Sequence, residues 1–176
     1  LADGHRLSLG LRDLAALKQT PLDPDLAGSE RVLLYPYAAE DPEAASAWVE
    51  ATINHFGGFD SVIHSAGIFS RVPLLFEPGE EQDIAHTINV NLMGPWWLTR
   101  AVWPQLVAHG EGRIQVLVSM SGKRSKGRLA AYSASKFALL GYYIRQHLFS
   151  YSLGVVAILG TNWIAVSIPE YVLLSI

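Results

Sequence analysis

The sequence predicts an α/β fold, a doubly wound parallel sheet with helices on both faces. Two observations carry this. Short runs of β-branched and aliphatic residues alternate with segments of helical character, and Ser119 stands at the end of one such run, where strand carboxyl ends carry ligands in open α/β sheets. Strands are predicted at Arg6 to Gly10, Arg31 to Tyr35, Ser61 to His64, Ile114 to Val118 and Val155 to Leu159. There are no internal repeats or low-complexity tracts.

The elements can be justified in order. Gly4 and Gly10 are isolated and read as a helix stop and a strand glycine. Pro21 to Gly28, rich in proline, glycine and aspartate, reads as a loop. Asp41-Pro42-Glu43 reads as a helix start, because an aspartate can accept hydrogen bonds from the first turn and proline suits the first helical position. Trp48, Val49 and Ile53 would then face the sheet. Two later helices are apolar on nearly every side: one carries Trp96, Trp97, Leu98, Val102, Trp103 and Leu106, the other Phe137, Leu139, Leu140, Tyr142, Tyr143, Ile144, Leu148 and Phe149. One face of each can cover the sheet, and the other is expected to meet a second subunit in a homodimer or homotetramer.

Leu148 to Pro169 contains no Asp, Glu, Lys or Arg, which raises the question of a membrane span. Its serines, glycines, threonine and asparagine favour a buried strand followed by an apolar lid or substrate loop. Val166 to Ile176 is read as a lid, a dimer contact or part of an interrupted segment. Leu1 to Gly10 contains Asp3, His5 and Arg6 and no apolar run of the kind a signal peptide needs, so the expected location is the cytoplasm.

Composition excludes several function classes. The chain has 176 residues, half of them hydrophobic and 16% charged, which describes one globular domain over residues 1–176 rather than a disordered chain. A net charge of −3 gives no general attraction to nucleic acid. With no cysteine, disulfides, thiol nucleophiles and cysteine-based zinc sites are excluded, and the six histidines, none with helical metal-site spacing, are read as non-ligands. Arg113, Lys123, Arg124, Lys126 and Arg128 form a basic run around Ser119, read as a solvated loop first and as an attractor of anionic ligands second.

The chemistry concentrates in Tyr132-Ser-Ala-Ser-Lys136. Residues four apart share a helix face, so the Lys136 ammonium can stand beside the Tyr132 hydroxyl and favour its ionised form. A free tyrosine titrates near about 10, and a neighbouring cation brings proton transfer closer to neutral pH. Ser119 supplies a second hydroxyl. Ser121 competes for that role.

In order along the chain stand Leu1-Ala-Asp-Gly-His-Arg-Leu-Ser-Leu, Phe56-Gly-Gly-Phe-Asp60, Ala66-Gly67, Asn89-Val-Asn-Leu-Met-Gly94, Ser119 and Tyr132-x-x-x-Lys136. This ordered set, covering Leu1 to about Gly160, resembles the short-chain dehydrogenase/reductase family, whose fold is Rossmann-like. The resemblance implies that Ser119, Tyr132 and Lys136 are catalytic, with Asn91 of the N-x-x-G motif as a fourth member and Ser119 preferred over Ser121 by its spacing. It implies hydride transfer between a nicotinamide cofactor and a carbonyl or secondary alcohol, with Tyr132 as acid/base.

The resemblance also implies a dinucleotide site, and there the chain departs from the pattern. The family begins with a strand and a glycine-rich turn that cradles the pyrophosphate, and this sequence shows neither. The missing strand would be the central one of the sheet, so the sequence is expected to be incomplete at the amino end, and also after Gly160. Arg12 stands where NAD-preferring members carry an acid, which favours NADP over NAD. The adenine-contacting acid is replaced by Ala38 and Ala39, and N-N-A-G becomes His64-Ser65-Ala66-Gly67. The expected cofactor-binding residues are Arg12, Ser65, Ala66, Gly67, Tyr132 and Lys136. The alternative function is a catalytically silent dinucleotide-binding or oligomerisation module. A membrane-associated steroid or lipid reductase is a third reading, resting on the apolar carboxyl end.

Overall fold

The computed structural model describes residues 4–110, 112–123, 127–147, 153–158 and 171–175. Six parallel strands form one sheet: β1 (Arg6–Leu11), β2 (Val32–Pro36), β3 (Ser61–His64), β4 (Gly112–Leu117), β5 (Leu153–Ile158) and β6 (Tyr171–Ser175), in the order β2-β1-β6-β3-β4-β5. Five of them are the predicted runs, with ends displaced by at most two residues.

The sixth corrects the sequence reading. Within Val166 to Ile176, read as a lid, a dimer contact or part of an interrupted segment, Tyr171–Ser175 forms a strand at the centre of the sheet, in register with β1 (Leu9↔Leu174) and with β3 (Ile63↔Leu174). Backbone donors and acceptors of β1 and β3 thereby gain partners on the edges they turn towards each other. The lid or substrate loop predicted after β5 lies outside the described residues, as does most of the uncharged segment. Among the described residues no helix is long and apolar enough to cross a membrane.

The helices are α1 (Pro24–Ala27), α2 (Pro42–Phe56), α3 (Glu81–Ile88), α4 (Gly94–His109) and α5 (Ala130–His147). The one-turn α1 lies inside the predicted loop, for the reason that also starts α2. Asp23 and Asp41 each precede a proline and each accepts a hydrogen bond from a backbone N–H in the first turn.

β1 divides the core. Leu7, Leu9 and Leu11 point to one face, covered by Leu14, Leu17, Leu22 and Ala27. Ser8 and Gly10 point to the other, where α2 lies so close that a Cβ on Gly10 would meet the Trp48 ring at 2.8 Å. Trp48 is fully buried there and donates its indole N–H to Ser8 Oγ at 2.9 Å, while Ser8 Oγ and Thr52 Oγ1 share a hydrogen bond of 2.7 Å. Trp48 and Val49 thus face the sheet as predicted, and Val62, Leu98, Val102, Leu106, Ile114, Val116 and Leu139 complete the same core from β3, α4, β4 and α5. Leu98, Val102 and Leu106 thus form the sheet-covering face of α4, while Trp96 on α4 and Phe137 on α5 remain nearly half exposed.

Candidate active site

Between α3 and α4 the chain makes a π-helical turn, Asn89–Met93, in which the Gly94 N–H reaches back five residues to the Asn89 carbonyl. Such turns recur at functional sites because the extra residue re-aims a side chain. Here the fully buried residue is Asn91. Its Oδ1 accepts from the Ile68 N–H at 2.8 Å, and its Nδ2 donates to the Ile68 carbonyl at 2.9 Å and to Ser135 Oγ at 3.1 Å. Ser135 in turn donates to the Tyr132 carbonyl at 2.7 Å. One amide thereby ties the loop after β3 to the first turns of α5.

Tyr132 and Lys136 share a face of α5, as the spacing predicts. Lys136 is 6% exposed, its Nζ lies 5.9 Å from the Tyr132 ring centroid, and it donates to the Leu117 carbonyl at 3.2 Å. Burial pushes the Lys136 ammonium pKa down. Leu117 ends β4, and Ser119 follows it with its Oγ accepting from the Ser121 N–H at 3.1 Å. Ser119 therefore caps the short turn Met120–Gly122, which packs so tightly on α5 that a Cβ on Gly122 would stand 2.9 Å from the Lys136 carbonyl. Across the site the Phe69 ring centroid lies 4.9 Å from that of Tyr132. Asn91, Tyr132 and Lys136 are thus brought together with the segment bearing Ser119.

A cleft of about 140 Å³ opens on the carboxyl edge of the sheet, lined by Arg12, Tyr37, Ala39, Ala66, Gly67, Ile68 and Val90. These residues follow β1, β2 and β3 or come from the π-helical turn, so the cleft lies where the strand order reverses, the place at which open α/β sheets bind ligands. Gly67 keeps it open towards the catalytic candidates: a Cβ there would come within 3.3 Å of Asn91 Oδ1 and 3.5 Å of Lys136 Nζ. Of the residues expected to bind a cofactor, Arg12, Ala66 and Gly67 line this cleft, whereas Ser65, Tyr132 and Lys136 are not among its lining residues.

Two further sequence readings are changed by the fold. Arg12 Nη2 donates to both carboxylate oxygens of Glu40, each at 2.7 Å. Sequence reasoning passed over Glu40; its one signal was its place beside the Asp41 cap. Burial pushes the Glu40 carboxyl up, but its own backbone N–H and the Arg12 guanidinium outweigh that and hold it below the usual range. Arg113, grouped with the basic run around Ser119, instead pairs in register with Ser61 near the opposite end of β4, about 20 Å from Ser119 for an extended strand. Arg124 and Lys126 lie outside the described residues.

His64, which replaces the first asparagine of N-N-A-G, is buried at the end of β3 and shares a hydrogen bond of 3.1 Å with Thr99 Oγ1. Burial pushes its ring pKa down to about 3, so it is neutral at physiological pH.

A family model described as short chain dehydrogenase matches residues 2–158. The chain belongs to that family. Among curated members of the short-chain dehydrogenase family it is similar to agropine synthesis reductase of Rhizobium rhizogenes, 32% identical over 146 residues that make up 80% of this chain and 32% of the relative. It is also similar to 11-beta-hydroxysteroid dehydrogenase-like 3 of Arabidopsis thaliana, 32% identical over 66% of this chain and 37% of that protein. The chain thus spans about a third of the length of these relatives. A metagenomic short-chain oxidoreductase solved in complex with NADP shares the fold with a TM-score of 0.79 at 23% identity, over 99% of this chain and 87% of that one. A short chain dehydrogenase/reductase from Burkholderia phymatum in complex with NAD does so with a TM-score of 0.77 at 22% identity, over 88% and 56%.

Proposed function

We propose that this protein is an NAD(P)-dependent oxidoreductase that interconverts a small-molecule carbonyl and its secondary alcohol, with Tyr132 as the acid/base. The observation that carries the reading is the buried Lys136 ammonium beside the Tyr132 ring, anchored on the Leu117 carbonyl two residues before Ser119. A lysine desolvated to this degree without a task is unfavourable, and such groups cluster at functional sites.

The cleft suits a dinucleotide. Its lining combines the Arg12 guanidinium with the small residues Ala39, Ala66 and Gly67, and Gly67 leaves open the space a Cβ would fill between the cleft and Lys136. Arg12, Ala66 and Gly67 would line the adenosine side, with Tyr132 and Lys136 holding the nicotinamide ribose. When bound, the cofactor supplies or accepts the hydride. In the reductive direction the Ser119 and Tyr132 hydroxyls hydrogen-bond the substrate oxygen and stabilise the charge that develops on it. Tyr132 then donates its proton, and the Lys136 ammonium offsets the negative charge left on the phenol oxygen. Asn91, whose amide is fully engaged, acts by fixing Ile68 and Ser135 around the site.

The test is Tyr132→Phe, which keeps the ring packing and removes the proton. Turnover is expected to fall by orders of magnitude while cofactor affinity persists, and unchanged turnover overturns the assignment. The silent-module reading draws on the Arg12–Glu40 pair, which occupies a cofactor candidate. Titration of the full-length protein with NADPH and NADH separates the two, because failure to bind either favours the silent role. The proposal includes a single oxidoreductase domain in a cytoplasmic homodimer or homotetramer, with exposed Trp96 and Phe137 as candidate contact residues.

A further inference from the structure

We propose that Glu40 sets cofactor choice by occupying Arg12, so that nucleotides with and without a 2′-phosphate bind with similar affinity. The inference rests on the reading of the cleft as a dinucleotide site and adds a specificity residue to it. Arg12 directly follows β1, and its charge is what would distinguish a 2′-phosphate from a hydroxyl. In this chain that charge is already matched. Both Glu40 oxygens lie 2.7 Å from Arg12 Nη2, and Arg12 and Ala39, the neighbour of Glu40, line the same cleft.

The position of Glu40 follows from the fold. β1 and β2 are parallel neighbours with Leu11 opposite Pro36, and the Tyr37 N–H continues the ladder to the Leu11 carbonyl at 3.0 Å. The residues after Leu11 and after Pro36 therefore leave the same edge of the sheet side by side. Asp41, next to Glu40, is held as the cap of α2 by its bond to the Glu43 N–H at 2.9 Å, which anchors the backbone that presents Glu40.

Two routes are open to a 2′-phosphate, and both meet the carboxylate. It can take Nη2 only by displacing Glu40, or it can use the remaining guanidinium donors and stand within a few ångströms of a group of like charge. A 2′-hydroxyl carries no charge and avoids that repulsion. The side chains of Arg12 and Glu40 are 50% and 32% exposed, so the effect is moderate and screened by salt.

The test is fluorescence titration of NADPH and NADH into the full-length protein, its Glu40→Gln variant, and the Arg12→Gln/Glu40→Gln double variant. The unaltered protein is expected to bind the two cofactors within about tenfold of each other, and Glu40→Gln to tighten NADPH about three- to tenfold with NADH changed less than about twofold. That gain should shrink at 0.5 M salt, taken here as roughly triple the physiological level, and vanish in the double variant. An unchanged NADPH to NADH ratio in Glu40→Gln, or a gain that survives loss of Arg12, overturns the inference and leaves the dehydrogenase reading standing. If the unaltered protein binds neither cofactor, the cleft reading falls and this inference with it.

Discussion

The two ends of the candidate site each present a cation, held in opposite ways: Arg12 lines the cleft, and Lys136 lies beyond Gly67, outside its lining. Lys136 is buried, donates to a backbone carbonyl and has its ammonium pKa pushed down by desolvation. Arg12 is half exposed and held by the Glu40 carboxylate. A buried charge without room to move has one geometry and suits a proton-transfer step, which tolerates little misplacement. An exposed ion pair is weak and can be exchanged, which suits selection among ligands. The difference teaches that the chain puts its rigidity where bonds change and its adjustability where binding is tuned.

The sharpest way to break that comparison is at the buried end. Tyr132→Phe should lower turnover by about 10²- to 10⁴-fold, the range for loss of a positioned acid/base group. Steady-state kinetics at saturating cofactor measure it. Lys136→Met should lower turnover comparably and weaken the cofactor as well, whereas Arg12→Gln should leave turnover at saturation within about threefold. Equal losses in the two cation variants would erase the distinction between the ends.

Next in size is Asn91→Ala. The Ile68 N–H and carbonyl and the Ser135 hydroxyl lose a partner together, and buried groups left unpaired cost about 1–3 kcal/mol each, partly recovered by relaxation. We expect a loss of about 2–4 kcal/mol in urea unfolding. A stability within error of the parent would show that the amide does not hold the site.

His64 tests the buried region by pH. Its ring pKa is about 3 in the folded chain against 6.5 for the free side chain. Between those values the unfolded chain binds a proton that the folded chain excludes, so stability is lost as pH falls below 6.5. At pH 5 the loss is about 2 kcal/mol. His64→Asn, the residue that the family motif carries there, should flatten the acid limb of a melting-temperature profile; an unaltered slope would assign that limb to other groups. The smallest effect is at the exposed end. Removing the Arg12–Glu40 pair should change stability by about 1 kcal/mol or less.

Much of this was legible because it is local. Ser61–His64 is a strand by composition, Asp41-Pro42 starts a helix because a cap and a proline act within one turn, and Tyr132 faces with Lys136 because four residues make about one helical turn. The same cap logic applied to Asp23-Pro24 would have found α1. Glu40 was not legible, because its partner is 28 residues away and meets it only after two strands pair. Nor was the pairing of His64 with Thr99, 35 residues apart, which requires α4 to lie on the sheet.

By itself the sequence determined the α/β class, the positions of five strands, and the identities of Ser119, Tyr132, Lys136 and Asn91 as candidates, since periodicity, caps and motif order are properties of neighbouring residues. Tertiary structure alone decided that Tyr171–Ser175 forms the centre of the sheet, that Asn91 joins Ile68 to Ser135, and that Arg12 meets Glu40. An apolar run can fill any sheet position and a charge can pair with any opposite charge. Which partner is met depends on the crossovers that bring distant strand ends to one edge.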